Sequence, residues 1–193
     1  GTIVVPPQFD EAYPFVRQLE MLSPYFNPEH FQPRWPEVRQ PVALVKKDSL
    51  WGLLDAHGKV LVPAVGRERL TFAQAGKDVF WVRYDAGERT PHHDHVLKTA
   101  LLSLDGTLLT PFIYDHSSYD DDGDGWGEGD TYGHSSFGWS HQVVAEYLAV
   151  CKGERWGMIS VHGEEIIPPV WGSITPGANG VAITYSYDSL TLE

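Results

Sequence analysis

The sequence predicts an all-β protein made of stacked or paired three-stranded β-meanders, about four repeats long, with the first and last repeats incomplete. One observation is a set of glycines, each followed five residues later by proline: Gly1, Gly58, Gly106 and Gly163. A second is the pair of matching segments upstream of two of these glycines, Trp51 to Asp55 and Trp156 to Ser160. A single short meander cannot bury its apolar face, so neighbouring units must pack together.

Each repeat is predicted to be a β-hairpin preceded by one further strand. The Trp-Gly strand and the strand that ends at proline flank a short turn whose last residue is the anchoring glycine, a position that often requires positive φ. Proline at the end of the second strand cannot donate to the ladder and stops the pairing. The further strands are expected at Val42 to Lys46, Val79 to Tyr84 and Glu146 to Cys151. An aromatic residue eight positions after the glycine, at Phe9, Tyr114 and Trp171, completes the pattern, which Gly66 interrupts.

The chain is predicted to be a single domain, 1–193, interrupted by insertions at about 17–41 and 115–142. The first insertion contains five prolines and is expected to hold at most one short helix, near Val16 to Leu22. Residues Gly180 to Glu193 resemble the beginning of a unit, whereas Gly1 to Phe9 resemble the end of one. Either the last strand pairs beside the first and closes the array, or both ends belong to a longer open array.

These residues resemble the WG-repeat proteins of bacteria. The family pattern of Trp-Gly, aliphatic residues, Gly-Lys, aliphatic residues and proline is similar to Trp51 to Pro63 and to Trp156 to Trp171. The similarity is weaker at Thr99 to Tyr114, which lacks the Trp-Gly pair. The resemblance implies an all-β repeat with a binding rather than a catalytic role. Association of some members with toxin and immunity loci implies an immunity protein as one form of that role.

Charge limits the classes of partner. The formal net charge is −12, which disfavours nucleic acid and anionic membrane because both need lysine and arginine to neutralise phosphates. A basic protein is the expected partner. No apolar run is long enough for a transmembrane helix. The lone Cys151, expected as a small core residue, fits a reducing cytoplasm; the sequence begins in mid-pattern without Met, which is consistent with a leader or further repeats ahead of it.

The segment 115–142 is the candidate binding surface. It has seven acidic residues and no lysine or arginine, and it contains no Ala, Val, Ile, Leu or Met. Acidic residues interleaved with aromatic rings suit a basic protein surface, because charge speeds encounter and rings anchor the complex. The alternative is a solvated loop with some rings folded back on the sheet. The predicted partner-binding residues are Tyr119, Asp120, Asp121, Asp122, Asp124, Trp126, Glu128 and Trp139.

Two groups of residues raise the question of a metal. Asp120, Asp122, Asp124 and Glu128 have the spacing of the first ligands of a calcium loop, although the twelfth position is Thr131 where a bidentate Glu is expected. The cluster of residues 92–95, His-His-Asp-His, carries zinc-type ligands, but adjacent side chains point in different directions, so loop residues without a metal are the favoured interpretation.

Motifs for catalysis are absent from the sequence: it has no Gly-x-Ser-x-Gly elbow, phosphate loop, dinucleotide fingerprint or His-Glu-x-x-His. We therefore expect no catalytic residues and no cofactor other than Ca²⁺ in one alternative. The alternatives to a protein-binding module are a Ca²⁺-binding surface or adhesion module and a hydrolase whose active site is carried on loops.

Overall fold

Antiparallel strands form nearly all of the regular structure. The computed structural model describes residues 8–24, 26–29, 32–89, 95–117, 146–153, 155–176 and 182–185. Its strands are β1 (Glu11–Ala12), β2 (Val42–Lys47), β3 (Leu50–Asp55), β4 (Val60–Gly66), β5 (Thr71–Gln74), β6 (Val79–Arg89), β7 (His95–Ser103), β8 (Tyr114–Ser117), β9 (Tyr147–Lys152), β10 (Arg155–Ser160), β11 (Glu165–Trp171), β12 (Ser173–Pro176) and β13 (Ala182–Tyr185). One short 3-10 helix spans Leu19–Leu22.

The strands make three sheets among the described residues. The first has the order β1-β2-β3-β4, the second β11-β10-β9-β8-β7-β6-β5, and the third pairs β12 with β13. Both larger sheets are open and neither closes into a barrel. The prediction of an all-β fold of meanders is therefore confirmed. The proposed pairing of the two chain ends concerns residues 1–7 and 186–193, which lie outside the described residues.

The anchoring turn has the same backbone in all three described units. Its glycine has φ of 82°, 78° and 85° at Gly58, Gly106 and Gly163. In each turn the glycine N–H donates to the carbonyl three residues earlier, on Asp55, Ser103 and Ser160. The side chain of that earlier residue also accepts from the turn; Asp55 Oδ1, for example, accepts from the N–H groups of His57 and Lys59 at 2.9 and 2.8 Å. A short polar residue and a left-handed glycine therefore define this turn.

The aromatic position and the Trp position of each unit are partners in the ladder. The pairs are Trp51 with Gly66, Thr99 with Tyr114, and Trp156 with Trp171. The unit that lacks Trp-Gly therefore keeps the register of the others.

Close approach of the backbone explains the glycine of the Trp-Gly pair. A Cβ atom built at Gly52 would lie 2.7 Å from the carbonyl oxygen of Val62, and one at Gly157 would lie 2.5 Å from that of Ile167. Both sites lie at irregularities in the ladder, opposite the strand that contains the proline of the repeat. That strand continues past the proline, to Gly66 in β4 and to Trp171 in β11, so the prediction that proline stops the pairing was wrong; the irregularity accommodates the missing N–H group. Ala100 occupies this position in the remaining unit.

The units stack in layers, with β6 and β7 in the middle. Phe80 and Val82 pack in one core against β2, β3 and β4, whereas Trp81 and Leu101 pack in a second core against β9 and β10. Neighbouring residues on a strand point to opposite faces, so a strand buried on both faces marks an inner layer. The segment 17–41 also enters the first core, through Leu19, Leu22 and Val38.

Strands β12 and β13 repeat the register of β5 and β6. Gln74 pairs with Phe80 and Phe72 with Val82, and in the same spacing Pro176 pairs with Ala182 and Ile174 with Thr184. Strand β12 packs on β9 and β10, and Ile174 is fully buried. Strands β12 and β13 therefore have the register with which a unit begins. Most of the segment 180–193, predicted to begin a unit, lies outside the described residues.

Candidate binding surface

The acidic segment connects β8 to β9. Strand β8 ends at Ser117, strand β9 begins at Tyr147, and the two strands pair at Asp115 and Cys151. The first residues of the predicted 115–142 insertion therefore belong to the sheet. Cys151 is half-buried on the strand, so the expectation that it is a core residue was wrong; the alternate positions Leu148 and Val150 fill the second core instead.

Asp115 is tied to the scaffold by both carboxylate oxygens. Its Oδ1 accepts from Lys98 Nζ at 2.8 Å, and its Oδ2 accepts from the Gly153 N–H at 2.7 Å. This arrangement fixes the start of the acidic segment against the β9–β10 turn. One of the seven acids of the segment is thereby used internally, which leaves six in residues 118–145.

Lys98 links two strands and the start of the segment. Its Nζ lies 2.9 Å from Glu88 Oε2 in addition to its contact with Asp115. Burial lowers the pKa of Lys98, but the hydrogen bonds to Asp115 and Glu88, together with the negative charges of these two carboxylates, outweigh that effect and raise the pKa above its ordinary value. The ammonium group of Lys98 is therefore held in its charged form beside Asp115, where the acidic segment begins.

The residues predicted to bind a partner all lie outside the described residues, within 118–145. The same is true of the calcium candidates Asp120, Asp122, Asp124 and Glu128. In the cluster 92–95 only the backbone of His95 is described, at the start of β7. Among the described residues, no three His, Cys, Asp or Glu side chains are grouped so that they could hold a metal ion.

The register of the sheet places the β6–β7 connection and the acidic segment at the same end of their strands. Arg89 pairs with His95 at the end of the β6–β7 hairpin, and Val96 pairs with Ser117 at the end of β8. The histidine-rich connection and the acidic segment thus leave the sheet from neighbouring positions. Sequence reasoning missed this proximity, although the meander order of the strands was a signal that could have revealed it.

An open groove of about 570 Å³ lies where several turns meet. It is lined by Arg39, Lys77, Asp78, Val79, Ser103, Leu104, Asp105, Thr107, Leu109, Glu146, Val161 and His162. A histidine and several carboxylates come together here, which are the residue types that the hydrolase alternative requires. However, Ser103 Oγ accepts from the Thr107 N–H in the anchoring turn, and Asp105 pairs with Arg39 at 2.7 Å. The described interactions of these two side chains are therefore structural.

Glu146 enters the groove with an unusual backbone. Its φ is 68°, in the left-handed region that residues other than glycine adopt at a cost of roughly 1–3 kcal/mol. Its carbonyl accepts from the Val161 N–H at 2.9 Å. That bond joins the end of the acidic segment to the turn of the last complete unit.

Trp51 shows what the Trp of the repeat does. Its ring packs edge-on against Tyr13 at 5.6 Å, while Lys46 and Arg69 lie over its face at 5.3 and 5.5 Å. Lys46 also pairs with Glu11, at 2.8 Å. The side chain is buried in the first core, so its role is structural rather than partner-binding.

The layered meanders and their repeated turns define an all-β repeat module. The family model described as WG containing repeat matches residues 1–19 and 156–184, which confirms the resemblance seen in the sequence. These ranges cover about a quarter of the chain; residues 51–66 lie outside them yet form the same turn and register. Neither the curated proteins nor the solved structures contain a match to the chain. Among the described residues, no helix has the length and apolarity needed to cross a membrane.

Proposed function

We propose that this chain is a non-catalytic protein-binding module whose acidic segment contacts a basic protein. The observation that carries the proposal is the distribution of charge. Residues 118–145 hold six acids and no lysine or arginine, so this segment has no cation of its own to neutralise it.

Eight carboxylates of the described scaffold have partners within the fold. Several pair with cations: Glu11 with Lys46, Asp105 with Arg39, and both Glu88 and Asp115 with Lys98. Others accept from backbone N–H groups: Asp10, Glu20, Asp55 and Asp85. The six acids of residues 118–145 have no lysine or arginine among them in sequence, so a basic partner is a natural source of positive charge for them.

Aromatic residues give the segment a means of anchoring a partner. Trp126 lies among the acids in sequence and Trp139 follows them in the same segment, and Trp and Tyr are enriched at the energetic centres of interfaces. One form of this function is an immunity protein that neutralises a basic toxin. In that form the negative charge speeds association, and the affinity falls as salt screens it.

Affinity capture from the source cell with the full chain as bait, followed by mass spectrometry, identifies the partner. The affinity is then measured by calorimetry for the wild type and for a variant in which Asp120, Asp121, Asp122 and Asp124 are all changed to Asn. We expect a basic partner, binding weakened about tenfold or more in the variant, and a flatter dependence on salt.

The matched control removes the same charge from exposed scaffold positions. It carries Glu29→Gln, Glu37→Gln, Glu68→Gln and Glu164→Gln. Equal weakening by both variants would point to net charge alone and would reject a specific role for the segment. Unchanged affinity in the Asp variant would reject the proposal outright.

A further inference from the structure

The open groove of about 570 Å³ is built from the same positions of two consecutive units. Asp78 and Glu146 each precede the first strand of their unit, β6 and β9. The carbonyl group of each accepts from the residue that follows the second strand: from the Leu104 N–H at 3.1 Å and from the Val161 N–H at 2.9 Å. All four residues line the groove, which is therefore a feature of the junction between units rather than of one turn.

Aliphatic side chains line the groove together with charged ones. Leu104 packs on the first core, whereas Leu109 and Val161 pack on the second. All three are half-buried, so each keeps apolar surface in contact with water. A ligand that covers these side chains removes that surface from water, which favours binding. The volume of the groove also lies within the usual range for ligand sites, about 300–1,000 Å³.

The carboxylates of Asp78 and Glu146 lack a cation. Among the described residues, neither carboxylate has a hydrogen-bond or ion-pair partner, and both residues are exposed. Arg39 does not supply the charge, because it pairs with the third carboxylate of the groove, Asp105, at 2.7 Å. Lys77 is the remaining cation of the lining, so negative charge is in excess there.

The backbone of Glu146 is strained without need of the repeat. Its φ is 68°, whereas Asp78, at the equivalent position, is not among the described residues with positive φ. Asp78 nevertheless makes the equivalent carbonyl hydrogen bond. The fold of a unit therefore does not require this strain, and strained residues of this kind cluster at functional sites.

We propose that the groove binds an arginine side chain of a protein ligand. The guanidinium group lies between the carboxylates of Asp78 and Glu146, and the methylene groups cover the aliphatic side chains of the groove. A guanidinium group has five N–H donors in one plane, so it can donate to two carboxylates at once, and it is more weakly hydrated than an ammonium group. That the ligand is a protein rests on the proposed function, whereas the recognition of the guanidinium group does not.

Nuclear magnetic resonance of the full ¹⁵N-labelled chain with N-acetyl-arginine amide tests the proposal at pH 8. We expect saturable shifts of the Leu104 and Val161 N–H signals in the millimolar range. The citrulline analogue, which has the same length and no charge, should produce none. Asp78→Asn and Glu146→Gln should each weaken binding about threefold. Glu68→Gln removes an exposed carboxylate outside the groove and should bind like the wild type.

The spectra also show whether each variant is folded, because signals outside the groove should match those of the wild type. The absence of a saturable shift, as when another part of the chain fills the groove, would overturn the proposal. So would equal binding of the citrulline analogue, or unchanged binding when both carboxylates are removed. A chain with Asp120, Asp121, Asp122 and Asp124 changed to Asn should bind the analogue like the wild type, so failure of the acidic-segment proposal and failure of this one are distinguishable.

Discussion

Replacing Gly52 with alanine tests why the Trp-Gly pair has glycine at its second position. The new Cβ would lie 2.7 Å from the Val62 oxygen and 3.0 Å from both the Ala64 nitrogen and the Pro63 carbonyl carbon. These are backbone atoms, so relief requires β4 to move. Leu61 and Val62 hold that strand in the first core, at 7% and 1% exposure. We expect a loss of about 3 kcal/mol in the free energy of unfolding, at the upper end of the usual cost of overpacking.

Gly157→Ala offers a comparison in which the contact is tighter but the neighbouring strand is freer. The Cβ would lie 2.5 Å from the Ile167 oxygen. However, β11 is the edge of its sheet, and its residues are exposed or half-buried. Because an edge strand can shift outward without opening a core, we expect a smaller loss, about 1–2 kcal/mol.

Urea unfolding followed by circular dichroism measures both variants, and thermal melting should show a fall of roughly 6–12 °C for Gly52→Ala. Gly153→Ala is the control, since its φ is 55° and nothing lies within 4 Å of the position that a Cβ atom would take there; its cost of roughly 1–2 kcal/mol comes from backbone conformation alone. A Gly52→Ala loss no larger than that of Gly157→Ala would refute the argument that core packing of β4 sets the cost.

Two further substitutions test the scaffold. Trp51→Ala should lower the free energy of unfolding by roughly 3–5 kcal/mol because the ring is buried in the first core. Trp156→Ala should lower it less, because that ring is half-buried. Equal losses of free energy in urea unfolding would contradict this expectation. Lys98→Met should cost about 1 kcal/mol at neutral pH. Because the pKa of Lys98 is raised in the folded protein, its contribution to the free energy of unfolding is complete below about pH 10 and is lost as the pH rises through the raised pKa. The free energies of unfolding of the wild type and the variant should therefore become equal above that pKa. A difference in stability that persists at higher pH would exclude an ionic origin.

Much of the repeat could be predicted because its constraints are local. A turn that needs positive φ requires glycine, so the ungapped glycine spacing predicted where each hairpin turns. Proline was also predicted to end its strand, but β4 and β11 both continue past it. The start of the first strand of each unit was also predicted to within one residue, as for β2 at Val42, but β6 runs to Arg89, past the predicted end at Tyr84. The segment 17–41 was harder to interpret, because five prolines hid the periodicity of Leu19 and Leu22, which the structure places in the first core.

The surroundings of the candidate site depend on contacts distant in sequence. Asp115 was counted with the acids of the binding segment, but its partners Lys98 and Gly153 lie 17 and 38 residues away in the chain. Only the register of β7, β8 and β9 brings them together. A sequence shows the charge of such a residue and not the cation that neutralises it.

Of the three described units one has Thr-Ala in place of Trp-Gly, whereas all three keep the anchoring glycine, and the structure gives a physical reason for that difference. Ala100 needs no positive φ, and the N–H of the next residue, Leu101, donates to the Thr110 hydroxyl at 2.9 Å. At Gly163 two constraints coincide, a φ of 85° and the contact with the Leu109 carbonyl. A residue with a side chain at this position would be strained in its own backbone and would also clash with the Leu109 carbonyl of the preceding unit. The anchoring glycine is therefore the position at which the fold of one unit and its packing on the next are set together.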